Sequence, residues 1–158
     1  VITLVQRVAH AQVRVDGLVI ASIASGLLLF VGVEKADGDS DADTTARKVA
    51  ALRIFEGRTP MDRTVAEVQG ALLVVSQFTL AGSIHKGNRP SFDNAADPAL
   101  ATKLYERVAD QLRAIGLPVQ TGRFAADMKV ELLNDGPITF VVQTRSGALL
   151  KQVADLPT

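Results

Sequence analysis

Cysteine and tryptophan are absent from the 158 residues, and aromatic side chains make up only 4%, with a single Tyr. Without cysteine there is no disulfide framework, no thiolate nucleophile and no Cys-ligated zinc or iron–sulfur site, which fits a reducing compartment. Net charge is lacking as well: 17 Lys and Arg residues balance 17 Asp and Glu. The chain therefore has no global positive field of the kind that coats duplexes through counterion release, and DNA is not an expected partner. Contact with the end of an RNA needs only a few placed donors and stays open. The longest apolar run, Gly26 to Val33, is far shorter than the ~20 residues that cross a bilayer. The stretch Val1 to Arg7 lacks the charged start and unbroken apolar segment of a secretory signal. The expectation is a cytoplasmic protein with no membrane association.

What is present is an aliphatic composition, 47% hydrophobic and 22% charged, typical of a chain that builds one core of Val, Leu and Ala. At this length one domain is expected. Strand-like alternation runs from Ile2 to Val8 and from Ala11 to Val15; Asp16-Gly17 then predicts a hairpin into Leu18 to Ile23. After a turn at Ser25-Gly26, Leu27 to Val33 is continuously apolar and predicts a strand buried on both faces at the centre of a sheet. Ser40 as N-cap, with Asp43 in the first turn and Ala46, Val49, Ala50 and Ile54 at near-helical spacing, predicts a helix over about residues 41 to 54. Ala71 to Val75 reads as another strand. Asp97 as N-cap, Pro98 at the first helical position and the stripe Leu100, Leu104, Val108, Leu112, Ile115 predict a second helix, stopped at Gly116. Lys129 to Leu133 and Ile138 to Gln143 read as two strands separated by a turn at Asn134-Asp135-Gly136-Pro137. With no repeat or linker, the order gives a single α/β domain.

Two segments exceed packing and punctuation. Ser76-Gln77-Phe78-Thr79-Leu80 carries a buried strand into polar side chains and then into a loop from Gly82 to Phe92 that holds His85, Lys86 and Arg89. This is either a capped strand end with a solvated basic loop or a place for an anionic or carbonyl-bearing ligand. Phe124 and Met128 stand four apart around Ala125-Ala126-Asp127, the spacing of a helical core pair or of an apolar platform for a base. Standard catalytic templates do not fit. No G-x-S-x-G elbow activates Ser76, the histidines His10 and His85 offer no triad order, and no metal-ligand or phosphate-loop spacing occurs. Any hydrolysis here rests on positioned donors rather than an activated nucleophile.

Taken together, Ser76-Gln77-Phe78-Thr79-Leu80 and Asn134-Asp135-Gly136-Pro137-Ile138-Thr139 resemble the D-aminoacyl-tRNA deacylase family. Supporting stretches at matching order are Gln6-Arg7-Val8, Gly32-Val33, Arg53-Ile54-Phe55, the loop from Lys86 to Phe92 and Thr121 to Met128. The resemblance covers residues 1 to about 143 and leaves 144 to 158 as a tail without an assigned role. It implies an α/β fold of mostly antiparallel sheets forming a barrel-like core with two main flanking helices, and a homodimer. It also implies an RNA-binding hydrolase that cleaves the ester of D-aminoacyl-tRNA, a chiral proofreading step in translation, with glycyl-tRNA mischarged on tRNA(Ala) as a further substrate. The alternative is a non-catalytic module that binds D-amino acids or RNA ends. By resemblance Ser76, Gln77, Phe78 and Thr79 form the catalytic pocket, with the amides near Phe78 and Thr79 as oxyanion donors. Gly136 and Pro137, as a Gly–cis-Pro pair, enter the partner subunit's pocket and exclude L side chains; Arg7, Asn134 and Thr139 support them. Phe124 and Met128 face the terminal adenosine, and Lys86 and Arg89 serve phosphates or are simply solvated. No cofactor and no metal are expected.

Overall fold

The computed structural model describes residues 1–150 except Lys86, and leaves the side chain of Pro137 undescribed. Its elements are β1 (Ile2–Val15), β2 (Leu18–Ile23), β3 (Gly26–Gly32), α1 (Asp39–Ala51), β4 (Ala71–Ser76), a 3-10 turn (Phe78–Ala81), α2 (Pro98–Ala114), β5 (Val119–Thr121), β6 (Lys129–Arg145) and β7 (Ala148–Leu149). Asp16 and Gly17 take the positive φ angles, 50° and 77°, of a tight hairpin turn between β1 and β2. Asp97 caps α2 by accepting from the amides of Ala99 and Leu100 at 2.9 and 3.0 Å. Gly116, at φ 98°, ends it. α1 begins two residues earlier than its sequence predicts. The cap is Gly38 rather than Ser40, because Asp41 turns back to accept from the Gly38 amide at 2.9 Å. Along α2 the buried face is Leu104, Tyr105, Val108, Ala109 and Leu112, while Ile115 falls at the cap and is exposed.

All seven strands form one mixed sheet in the order β5-β4-β3-β1-β6-β7, with β2 added to β1. The pairs β3–β4 and β4–β5 are parallel and the rest antiparallel. β3 is central and almost wholly buried, as continuous apolar runs require. One edge of β1 is shared: residues 2–8 pair with β3 and residues 11–15 with β2. The sheet therefore curls, and β2 comes to lie near β4 and β5. One core lies under the two helices, including Leu29, Leu72, Val74, Leu104 and Leu112; a second fills the concave face with Val13, Ile23, Leu28, Leu73 and Val75. Among the described residues the hydrogen-bonded path ends at β5 and β7 without joining them, so the sheet curves but does not close into the expected barrel. No helix among the described residues is long and apolar enough to cross a membrane.

The turn expected at Asn134 to Pro137 does not reverse the chain. β6 runs through it as one strand against β1, and the register absorbs the extra residues: Val8 faces Asn134 while Gln6 faces Thr139, two steps along β1 against five along β6. The surplus is extruded as a bulge. Past residue 143 the strand continues to Arg145 and turns at Ser146-Gly147 into β7. There the Gly147 amide donates to Asp41 at 2.8 Å, and Thr44 donates to the Gly147 carbonyl at 2.8 Å.

Candidate active site

β4 delivers Val75 and Ser76 to the edge of the sheet, and the chain then tightens into the 3-10 turn. The Gln77 amide holds the turn to β3 by donating to the Val31 carbonyl at 2.8 Å, and the Leu80 amide returns to the Gln77 carbonyl at 3.2 Å. Between them the amides of Phe78 and Thr79 donate to no acceptor among the described residues. Such open donors are what the start of a helical turn leaves behind. The approach is close. A Cβ on Gly32 would stand 2.8 Å from Leu80 Cβ and 2.9 Å from the Gln77 carbonyl oxygen, so only glycine lets the turn seat against β3.

Facing this turn is the segment after β5. The Gly122 amide donates to the Val74 carbonyl at 2.9 Å, one step beyond the β4–β5 ladder. Tyr105, buried on α2, donates to the Val74 carbonyl at 3.0 Å with the Gly122 carbonyl 3.3 Å away. Burial holds this phenol in its neutral form, its pKa pushed up to about 12. Its ring packs at a tilt on Phe124, 6.1 Å between centres. Ala125 takes a positive φ of 60°, so the segment from Phe124 to Met128 is a turn and not the helix its spacing suggests. Met128 folds back over Gly122, where a Cβ would lie 2.6 Å from its sulfur.

Between the two walls lies a cavity of about 550 Å³, lined by Ser76, Gln77 and Phe78 on one side and by Phe124 through Met128 on the other, with Tyr105 and Ala101 from α2. The structure thus brings together Ser76, Gln77, Phe78, Phe124 and Met128. Thr79 is the next residue out and is not part of the lining; its hydroxyl accepts from the Gln77 side-chain amide. Phe78 is 58% exposed and meets Phe92 edge-on, 5.0 Å between centres. Arg89 is exposed in the following loop, and Lys86 lies outside the described residues. Tyr105 is not among the residues the sequence points to, although a lone tyrosine at a buried helical position signals a phenol in need of an acceptor.

The bulge on β6 is held from several sides. Arg7 donates from Nε to the Asp135 carbonyl at 3.1 Å and from a terminal nitrogen to the Ile54 carbonyl at 2.7 Å, with the Asp135 carboxylate 3.0 Å from Nε and the Phe55 ring centre 6.0 Å from the guanidinium. The Asn134 side chain donates to the Arg7 carbonyl at 2.9 Å and to that of Ile138 at 3.3 Å. Gln6 donates to the Thr139 hydroxyl at 3.3 Å. Gly136 stands exposed at the tip. None of the described residues lining the cavity comes from this bulge, so the described parts of the two features are separate within one chain.

A family model described as D-Tyr-tRNA(Tyr) deacylase matches residues 4–143. The chain belongs to this D-Tyr-tRNA(Tyr) deacylase family. Relatives named D-aminoacyl-tRNA deacylase include a protein of Anaeromyxobacter dehalogenans, 56% identical over 89% of this chain and 95% of its own length. Another, from Geobacter sulfurreducens, is 52% identical over 90% of this chain and 94% of its own. Among solved structures, the c-Myc DNA unwinding element binding protein superposes with a TM-score of 0.86 at 33% identity, covering 92% of this chain and all of the other. A probable eukaryotic D-amino acid tRNA deacylase superposes at 0.75 with 15% identity over 89% of this chain and 97% of the other, a likeness of fold. For a deacylase of this family, both the cavity walls and the bulge fall inside the matched residues.

Proposed function

We propose that the chain is a D-aminoacyl-tRNA deacylase, hydrolysing the ester between a D-amino acid and the terminal ribose of tRNA and acting in the cytoplasm. Family membership sets the reaction class, and the observation that carries the site is the pair of open amides at Phe78 and Thr79 on the edge of an apolar cavity. Water attacks the ester carbonyl, whose oxygen gains negative charge; two fixed N–H donors stabilise that charge without reorganising. The acyl–oxygen bond then breaks, giving the free amino acid and the ribose hydroxyl, with the proton of water passing to the leaving oxygen. The Thr79 hydroxyl is bonded to an amide, which is no base, so it positions groups rather than attacks. Phe124 and Met128 offer an apolar surface for the terminal adenine, and Arg89 with Lys86 serves the phosphates.

Selection between D and L needs a steric device, since the two share every functional group. The braced bulge supplies it in this reading: Gly136-Pro137 of one subunit enters the cavity of its partner in a homodimer, where its carbonyls hold the substrate's amino group and its bulk excludes an L side chain. Glycine has no side chain to exclude, so glycyl-tRNA is a second substrate. The test is release of amino acid from D-Tyr-tRNA, L-Tyr-tRNA and Gly-tRNA by the purified protein. Hydrolysis of the first and third but not the second is expected. Binding of D-Tyr-tRNA without release would instead make the chain a binding module.

A further inference from the structure

Arg14 on β1 and Lys129 at the start of β6 are Cα partners in the antiparallel ladder. Their side chains therefore leave the same face of the sheet from adjacent positions. Like charges directly opposite one another destabilise a strand pair, so an anion is the natural complement to such a position. Lys129 is partly balanced, with Nζ 2.8 Å from the exposed Asp127 carboxylate. Arg14 is half-buried, and its side chain makes no hydrogen bond or ion pair to a described residue. The other acid on this face, Glu131, is turned the opposite way along the strands: one oxygen accepts from the Gln12 side chain at 3.0 Å and the other lies 3.8 Å from His10. Val130, the neighbour of Lys129, lines the cavity together with Met128. Strand alternation sends Lys129 to the other side. The two cations thus leave the face of the strands opposite the cavity lining, at the end of β6 that follows Met128.

We propose that Arg14 and Lys129 form a binding site for the RNA backbone, taking a phosphodiester of the single-stranded 3′ end as it leaves the cavity. This rests on the reading above, which places the terminal adenosine against Met128. A guanidinium matches two phosphate oxygens at once and the ammonium adds a point charge beside it. The phosphate supplies the negative charge the pair lacks, and the site contributes affinity for tRNA without touching the reacting ester.

The experiment compares two substrates that differ in phosphate: D-Tyr-tRNA, and D-tyrosine esterified to adenosine, which has none. Each is assayed with the parent protein, Arg14→Gln, Lys129→Gln, the double variant and the charge-keeping Arg14→Lys. For D-Tyr-tRNA the double variant is expected to raise KM about tenfold and to flatten its salt dependence, each lost contact to a single strand removing about 0.7 from the log–log slope. Arg14→Lys keeps most of the effect. The adenosine ester, whose hydrolysis also reports an intact cavity, keeps its parent KM throughout. An unchanged KM and salt slope on D-Tyr-tRNA would overturn the site. So would an equal loss on both substrates, since the residues would then act through the cavity itself. If the parent protein hydrolyses neither substrate, the deacylase reading is what has failed, and this site falls with it.

Discussion

At the scale of single residues, the division of labour between side chain and main chain is the sharpest question. Ser76 lines the cavity and Thr79 follows just outside it, yet among the described residues the Thr79 hydroxyl is bonded to the amide side chain of Gln77, and an alcohol without a base is a poor nucleophile near neutral pH. The amides of Phe78 and Thr79 survive any change of side chain. Thr79→Ala is therefore expected to retain deacylation of D-Tyr-tRNA within about tenfold of the parent, a barrier change of about 1.4 kcal/mol or less. A loss of several orders of magnitude with binding intact would restore Thr79 as the attacking group. Tyr105 works at the same scale by a different route. It ties the strand that ends in Ser76 to the segment that continues into Phe124, at the last point where the two chains are bonded before they part around the cavity. Tyr105→Phe keeps the ring but frees the walls, and should raise KM severalfold with little change in kcat while costing about 1 kcal/mol of stability. It should also change the alkaline limb. A folded-state pKa of about 12, above the ordinary 10, means stability that is fully present below pH 10 and lost as pH rises toward 12. The Phe variant should lack that loss in denaturant titrations across this range.

Elements show which features local chemistry decides. α2 was legible because its signals are its own: Asp97 and Pro98 at the start, Gly116 at the end and an apolar stripe between. The hairpin at Asp16-Gly17 was legible for the same reason. Asn134 to Pro137 was not, because the same residues suit a reversal and a bulge, and the choice lies in whether β1 is long enough to pair with both flanks. The candidate site divides likewise. Its two walls were recognised through resemblance to a family, since a strand end with a basic loop and a Phe–Met pair are ambiguous by themselves. Tyr105 went unseen because its role depends on β4 and β5 meeting beneath it. Between the helices, Arg107 grips Asp43 with two bonds of 2.7 and 2.9 Å, and Lys103 lies 2.8 Å from Asp39. Hydrogen bonds from Arg107 and Lys103 hold Asp43 and Asp39 respectively below the ordinary carboxylate value. Their contribution is present above that value and fades as pH falls through the lowered ones. Arg107→Ala should therefore lose stability at pH 7 but progressively less as pH falls below the ordinary carboxylate value, so that the two proteins' urea midpoints converge in acid.

For the whole molecule, the separation of cavity and bulge within one chain makes subunit exchange the decisive measurement. In the proposed twofold dimer each cavity would meet the partner's bulge, and the same relation would hold in reverse. Two inactive variants should then repair one another. Phe78→Asp sets a carboxylate where negative charge develops, at an exposed position that tolerates it. Gly136→Val adds bulk at the exposed tip of the bulge, its Cβ about 3.1 Å from the Asn134 side-chain oxygen. Each homodimer should be inactive toward D-Tyr-tRNA, the first for want of a working cavity and the second for want of a working selector. After the two are unfolded, mixed in equal amounts and refolded, half the dimers are mixed, and each contains one intact cavity facing one intact bulge. Activity should return to roughly a quarter of the parent level. If mixing restores nothing while each variant folds and dimerises, cavity and bulge serve one another within a subunit or not at all. If Gly136→Val alone keeps full D-specific turnover, the bulge is not the selector, and chirality must be read by the walls of the cavity itself.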